Sequence, residues 1–443
     1  MEDWTMKPWD YGRLQVAGNR RYLTHGDKPF FWLGDTAWLL FEKLSEAEIQ
    51  VYLQNRRHKH FNVIQATLVH TRAPSLDRFI DHDFAKPNKD SVYWARVDWA
   101  VAAAEALGIY MALLPSWGSW TKKGELNLEN VDAYSSFLAE RYGKRKNVIW
   151  LLGGDVRGDA AYDFFMEFGR QMKEKCPDQL VGFHPFGRTS SSLWFSQAPW
   201  LDFHMFQSGH RRYDQSVLGA WDDNKAAEGF FGEDSWRYVL RDHATPPLRP
   251  TLDGEPSYEQ IPQGLHDPSQ PYWQDHDVRR YAYWSVFAGA CGHTYGHNAV
   301  MQMYREGDSG GGYGAKSFWH QAIHDPGSGQ MGHLYRLMTA VDFTTGRPND
   351  DLLADGQQPQ YKRIAAFAGD GFAYFYTYLG APFRLRLDLL KDNLGDAASA
   401  FWFDPASGVY SYLNEVQCRG IREFKPPVKP IGQNDWVLVL RRP

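Results

Sequence analysis

Apolar residues fall into short runs that recur at intervals of roughly 30 to 50 residues, each ending in polar or aromatic positions, with amphipathic stretches between them. The runs predict strands over Pro29–Leu33, Asn62–Thr67, Ile109–Pro115, Val148–Leu152, Leu180–His184, Leu201–Phe206, Arg249–Leu252 and Gly292–Tyr295. Between them, Ser45–His60, Arg96–Leu107, Asn130–Tyr142, Tyr162–Lys175, Gly229–Leu240 and His276–Ala290 place apolar residues three and four apart with few breakers, the spacing of one helix face. A last helix is expected near Gly329–Val341. This β-α alternation allows a closed (β/α)₈ barrel or an open doubly wound sheet. No GxGxxG or GxxxxGK[ST] turn follows the first strand, which favours the barrel and puts candidate chemistry at the C-terminal strand ends.

The texture changes at 344–360, a stretch rich in Gly, Pro and Asp without apolar periodicity. Beyond it the strands are short and alternating: Arg363–Phe367, Phe372–Thr377, Arg384–Leu389, Ala400–Phe403, Gly408–Tyr412 and Trp436–Leu440, with turns such as AGDGF and DPASG. Six strands and no helix predict a small β-sandwich. The expected division is residues 1–345, a barrel with a short N-terminal β segment, and residues 346–443, the sandwich.

Composition narrows the classes of function. With 443 residues, 43% hydrophobic and 23% charged, the chain is long enough for two globular domains. A formal charge of −5 and the lack of basic runs interleaved with aromatics argue against nucleic-acid and membrane-surface partners. Three scattered cysteines without CxxC spacing predict neither disulfides nor a zinc site. The start MEDWTMKPWD lacks the features of a signal peptide, and no 18 apolar residues run together, so a soluble protein is expected. Its home would be cytoplasmic, or periplasmic or extracellular if a signal had been removed; oligomeric state is not legible. Aromatics make up 16% of the chain, many near predicted strand ends. Sugars expose flat apolar faces between hydroxyl edges, so aromatic platforms among polar groups suit a carbohydrate substrate.

Two carboxylates stand out at strand ends: Asp155, closing NVIWLLGGD, and Glu255, closing RPTLDGE. Cleaving a glycosidic bond needs one carboxylic acid to protonate the leaving oxygen and a second carboxylate to attack or to activate water. A gap of about 5–5.5 Å between them means retention of configuration, and roughly 6.5–9.5 Å means inversion. Asp155 is equally suited to a turn or helix cap after two glycines. Glu255 has a loop carboxylate as its alternative, with Asp253 and Glu259 as competitors nearby. Candidate substrate-binding residues at the other strand ends are Asp35, Trp38, Gln65, Trp117, Trp120, His184, His204, Gln207, Tyr258, His293, Tyr295 and His297. No His-x-His follows the first strand and no predicted strand runs into a GxSxG elbow, so neither a catalytic metal, nor a cofactor, nor a serine nucleophile is expected.

The segments FFWLGDTAW, FNVIQATLVH, VIWLLGGD, DFHMFQSGH, PTLDGEPSYE and GACGHTYGHN occur in an order that resembles the apiosidase-like glycoside hydrolases, glycoside hydrolase family 140, from about Leu14 to Val341. The resemblance implies a (β/α)₈ barrel that releases β-linked apiose from pectic side chains, with the Asp of GGD, here Asp155, as acid/base and the Glu of DGEPxYE, here Glu255, as nucleophile. In the wider clan of retaining barrel glycosidases an Asn-Glu pair ends strand four; here Gly154-Asp155 stands instead, leaving the contact to the sugar 2-hydroxyl unassigned. The tail, with AFWFDPASGVYS and NDWVLVL, is similar to a small domain named for collagen binding, for which a packing role against the barrel is the simpler expectation. The rival readings are a carbohydrate-binding protein without chemistry and a hydrolase of the same mechanism acting on another plant or algal glycan.

Overall fold

The computed structural model of the protein describes residues 6–70, 84–215, 230–429 and 433–443. Eight parallel strands form the expected barrel: β1 (Trp32–Thr36), β2 (Val63–Thr67), β3 (Tyr110–Leu114), β4 (Val148–Val156), β5 (Val181–Pro185), β6 (His204–Gln207), β7 (Thr251–Asp253) and β8 (Gly292–Tyr295). Sequential neighbours pair from β1 to β5 and from β6 to β8, and β8 pairs with β1. Between β5 and β6 the ladder is replaced by Asp202. Its N–H donates to the Val181 carbonyl at 2.9 Å, and its carboxylate accepts the Val181 N–H at 2.7 Å, so one residue closes the ring.

Alternation along each strand separates two cores. Tyr110, Ala112, Ile149, Leu151, Phe203, Met205 and Leu252 fill the barrel, whereas Met111, Leu113, Trp150, Leu152, Val181 and Phe183 meet the outer helices. Both faces are covered, which is why these strands read as continuous apolar runs. The helices run over Glu46–His58, Val92–Ala106, Val131–Tyr142, Tyr162–Lys175, Ser235–Ala244, Asp275–Phe287 and Pro326–Thr339. Ser45 caps the first of them in a reciprocal pair with Glu48. The expected helix from Gly229 begins at Ser235; Gly229 itself lies outside the described residues. No helix among the described residues is long and apolar enough to cross a membrane.

The first barrel strand starts three residues later than its pattern suggests. Lys28–Phe30 instead pairs antiparallel with Leu23–His25, which pairs with Leu14–Val16, and this small sheet lies against the bottom of the barrel, where Tyr110 Oη and His25 Nε2 are 2.9 Å apart. The barrel strand then continues through Gly34-Asp35, residues that usually end a strand, because Asp35 is buried against the Arg56 guanidinium at 2.5 Å and the Tyr52 hydroxyl.

Among the described residues the C-terminal region has more strands than expected, one four-residue α-helix, Lys391–Leu394, and the short 3-10 helix Leu387–Leu390 before it. Six strands form one antiparallel sheet in the order Arg347–Pro348, Ile364–Gly369, Phe372–Thr377, Trp436–Arg441, Ala397–Phe403 and Tyr410–Gln417. Phe383–Arg386 and Ile421–Phe424 form a second, two-stranded layer. The additional strands, Arg347–Pro348 and Ile421–Phe424, are too short or too exposed to carry an alternating pattern. One face of the large sheet packs on the small one through Phe375, Leu438, Trp402, Phe383 and Phe424. The other face packs on the barrel helix Asp275–Phe287: Tyr283 stacks on Tyr376 at 4.7 Å and Phe287 on Phe367 at 5.9 Å. Arg279 on that helix makes a bidentate pair with Asp435 at 2.8 and 2.9 Å, both side chains buried.

Candidate active site

A cavity of about 770 Å³ opens at the C-terminal end of the barrel, and all eight strand ends or the loops after them line it. Asp155 and Glu255 both face it. The two strand ends that carry them are built differently.

At the end of β4, Gly153, Gly154 and Asp155 take positive φ values of 92°, 96° and 53°, and the pairing with β5 slips between Gly153 and Val156. A Cβ on Gly153 would lie 2.3 Å from the His184 carbonyl oxygen, so only glycine fits there. Asp155 keeps the inward parity of Ile149 and Leu151, and the bulged strand end carries it to the cleft. Its backbone N–H donates to His184 Nδ1 at 3.4 Å. Burial and, after it, the charge of Glu255 push the Asp155 carboxyl up to about 6.

At the end of β7, Glu255 is met by two histidines. His210 Nε2 lies 3.2 Å from Oε1, and His184 Nε2 lies 3.2 Å from Oε2 at a more oblique angle. Backbone N–H groups hold the other ring nitrogens: Asp155 N–H points at His184 Nδ1, and Tyr258 N–H points at His210 Nδ1 at 3.4 Å. An N–H can only donate, so each Nδ1 accepts and each Nε2 carries the proton that faces Glu255. Burial works to raise the Glu255 carboxyl, but the contacts of His184 and His210 outweigh it and bring it down to about 2. His184 thus touches the backbone of one carboxylate and the side chain of the other.

Of the other expected site residues, Trp38, Trp117, Gln207 and Tyr258 line the cavity. Trp38 meets Trp117 edge-on at 5.3 Å and His184 at 5.1 Å. His184 and Gln65 do not line it but contact what does: His184 meets Glu255, and the Gln65 amide donates to the Gly254 carbonyl at 2.9 Å and so fixes the residue before Glu255. The rest do not line it. Asp35 is bound to Arg56 and Tyr52. Trp120 packs on Phe84, and His204 sits by Ser191 Oγ at 3.3 Å, its imidazole driven down to about 4 by burial. His293 is buried by Ser285, with burial lowering it to about 3. Tyr295 donates to Glu259, not Glu255, and His297 pairs with Asp325 at 2.8 Å. Among the competitors, Asp253 accepts the Ser208 hydroxyl behind the cleft rather than a cation, and Glu259 also takes the Gly327 N–H at 3.2 Å.

His210, Glu42, Lys122, Arg188 and Arg211 also line the cavity and were not singled out from the sequence. His210 ends the DFHMFQSGH segment, its one signal in the sequence; the others sit on loops or the short helices Leu40–Lys43 and Gly118–Lys122, where no periodicity marks them. Glu42 accepts the His70 N–H at 2.9 Å and is pushed up to about 8, chiefly by burial.

The sequence model of the family described as "Apiosidase-like, catalytic domain" matches residues 17–345. A second, described as "Putative collagen-binding domain of a collagenase", matches residues 348–441. A solved structure named "Glycoside hydrolase" is 39% identical with a TM-score of 0.90, covering 99% of this chain and 98% of that one. A glycoside hydrolase family 5 structure from Bacteroides vulgatus ATCC 8482 is 36% identical with a TM-score of 0.90, covering 99% and 95%. No curated protein matches the chain.

Proposed function

The chain belongs to the apiosidase-like family and is a glycoside hydrolase, and from that premise we propose that Glu255 attacks the anomeric carbon while Asp155 protonates the departing glycosidic oxygen. The C–O bond to the leaving group breaks as a bond from carbon to the Glu255 carboxylate forms. Asp155, now ionised, then takes a proton from water, whose oxygen displaces Glu255 and releases the sugar with its configuration retained. The observation that carries this reading is two carboxyls facing one cleft in opposite surroundings: Glu255 lies 3.2 Å from the Nε2 atoms of His210 and His184, which lower it, whereas burial and the charge of Glu255 raise Asp155.

Trp38 and Trp117 supply the aromatic wall for a sugar face, and Gln207 and Tyr258 supply hydroxyl partners. The substrate we favour is β-linked apiose on pectic side chains, as in glycoside hydrolase family 140, supported by the six ordered segments and the family match. The chain divides after residue 345 into a catalytic barrel and a β-sandwich. The test is release of 4-nitrophenol from a panel of 4-nitrophenyl glycosides that includes the β-apioside, with apiose-bearing pectic oligosaccharides alongside. Turnover of the β-apioside above all others supports the substrate; preference for another sugar replaces it and leaves the chemistry.

A further inference from the structure

The loop that brings His210 to Glu255 is anchored from outside the barrel. Tyr361, in the turn Gln360–Lys362, donates its hydroxyl to Glu233 Oε1 at 2.6 Å, and the same oxygen accepts the backbone N–H of Tyr213 at 3.2 Å. The Tyr361 ring also meets the Tyr213 ring edge-on at 5.4 Å. The second oxygen of Glu233 lies 2.6 Å from Arg280 Nη2, with both side chains fully buried. Tyr213 stands three residues beyond His210, whose carbonyl is fixed by Trp273 Nε1 at 3.0 Å and by the Gly264 N–H at 2.7 Å. A barrel loop, a barrel helix and the C-terminal region therefore meet at one carboxylate.

The packing of the two regions does not depend on this junction, because Arg279–Asp435 and the stacked rings of Tyr283 and Tyr376 already join them elsewhere. Tyr361 adds a directional contact aimed at the cleft loop. We propose that the C-terminal β region serves catalysis through Tyr361, a positioning residue that holds the His210 loop by way of Glu233 and so fixes the hydrogen bond to Glu255. The inference rests on Glu255 acting as the nucleophile.

The experiment is a double-mutant cycle of Tyr361→Phe and His210→Ala in the full chain, read as kcat/KM against pH with 4-nitrophenyl β-apioside, or with the 4-nitrophenyl glycoside that the panel selects. Tyr361→Phe keeps the ring and removes the hydroxyl; it is expected to lower kcat/KM about threefold to tenfold and to move the acid limb upward. In the His210→Ala background the same change is expected to have little further effect. Tyr374→Phe, which removes an interface hydroxyl bonded to the Leu337 carbonyl at 3.2 Å, should leave the acid limb in place. An equal loss from Tyr361→Phe in both backgrounds, or an unmoved acid limb, overturns the proposal. Glu255→Gln, assayed alongside, separates the two readings: full activity in that variant defeats the nucleophile assignment, whereas an inactive Glu255→Gln with an additive cycle defeats the anchoring alone.

Discussion

The ends of β4 and β7 present the same kind of group to the same cleft and treat it in opposite ways. At β4 a bulged strand end of three left-handed residues holds Asp155 where burial and a neighbouring negative charge favour the protonated form. At β7 side chains do the work: His210 Nε2 bonds Glu255, His184 Nε2 lies 3.2 Å from its other oxygen, and together they favour the ionised form. The difference teaches that the roles proposed for the two carboxyls rest on their surroundings rather than on residue type, and that His184 ties the two surroundings together.

The comparison breaks most sharply by removing either carboxylate. Glu255→Gln is expected to abolish turnover of every glycoside, a loss above the roughly 10²–10⁴-fold that a general acid contributes, with the fold kept, as checked by steady-state kinetics and circular dichroism. Asp155→Asn should cost about 10²–10⁴-fold on substrates with poor leaving groups and much less on aryl glycosides whose leaving groups need no proton. An equal loss on both kinds of substrate would show that Asp155 is not the acid.

Next in size is the pH dependence. Glu255 must be ionised and Asp155 protonated, so kcat/KM should fall as pH rises through about 6, and the acid limb should lie well below the ordinary glutamate range. Linkage gives the stability side. Because folding raises the Asp155 carboxyl from its ordinary value of 3.8, its favourable contribution is complete below that value and lost as pH rises through about 6. Asp155→Asn should therefore flatten the decline of Tm between pH 4 and pH 7. Glu255 has the opposite sign, contributing stability above its ordinary value of 4.5 that is lost as pH falls toward about 2.

The smallest expected effect on chemistry, at the outer edge of the comparison, comes from Asp35, which lies beside Arg56 below the cleft. Asp35→Asn leaves the buried guanidinium without its counter-charge, so it should cost about 3–5 kcal/mol of stability in denaturant titration while changing KM little in the protein that remains folded.

The sequence made the barrel legible because its strands are buried on both faces and its helices on one, which leaves two distinct periodicities. It misplaced the first strand because Gly34-Asp35 looks like a terminator until Arg56 arrives from a helix 21 residues on. It under-counted the C-terminal strands where Ile421–Phe424 is mostly exposed and carries no apolar alternation. In the site, Asp155, Glu255, Trp38, Trp117, Gln207 and Tyr258 were visible as strand-end residues that line the cleft. Asp35, His204, His293, Tyr295 and His297 looked equally suitable, since sequence position alone cannot tell a side chain aimed at the cleft from one held by an outer helix or a neighbouring loop. His210 escaped attention because its part depends on the loop after β6 folding back to Glu255, a contact 45 residues long in sequence.

The most direct measurement of the central claim is covalent trapping with an activated 2-deoxy-2-fluoro glycoside of the sugar that the enzyme accepts, followed by intact-mass and peptide mass spectrometry. One sugar equivalent on the peptide containing Glu255, absent in Glu255→Gln and formed in Asp155→Asn when the leaving group needs no proton, is the predicted result. A label on another carboxylate, or turnover to the inverted anomer with no label, would contradict it.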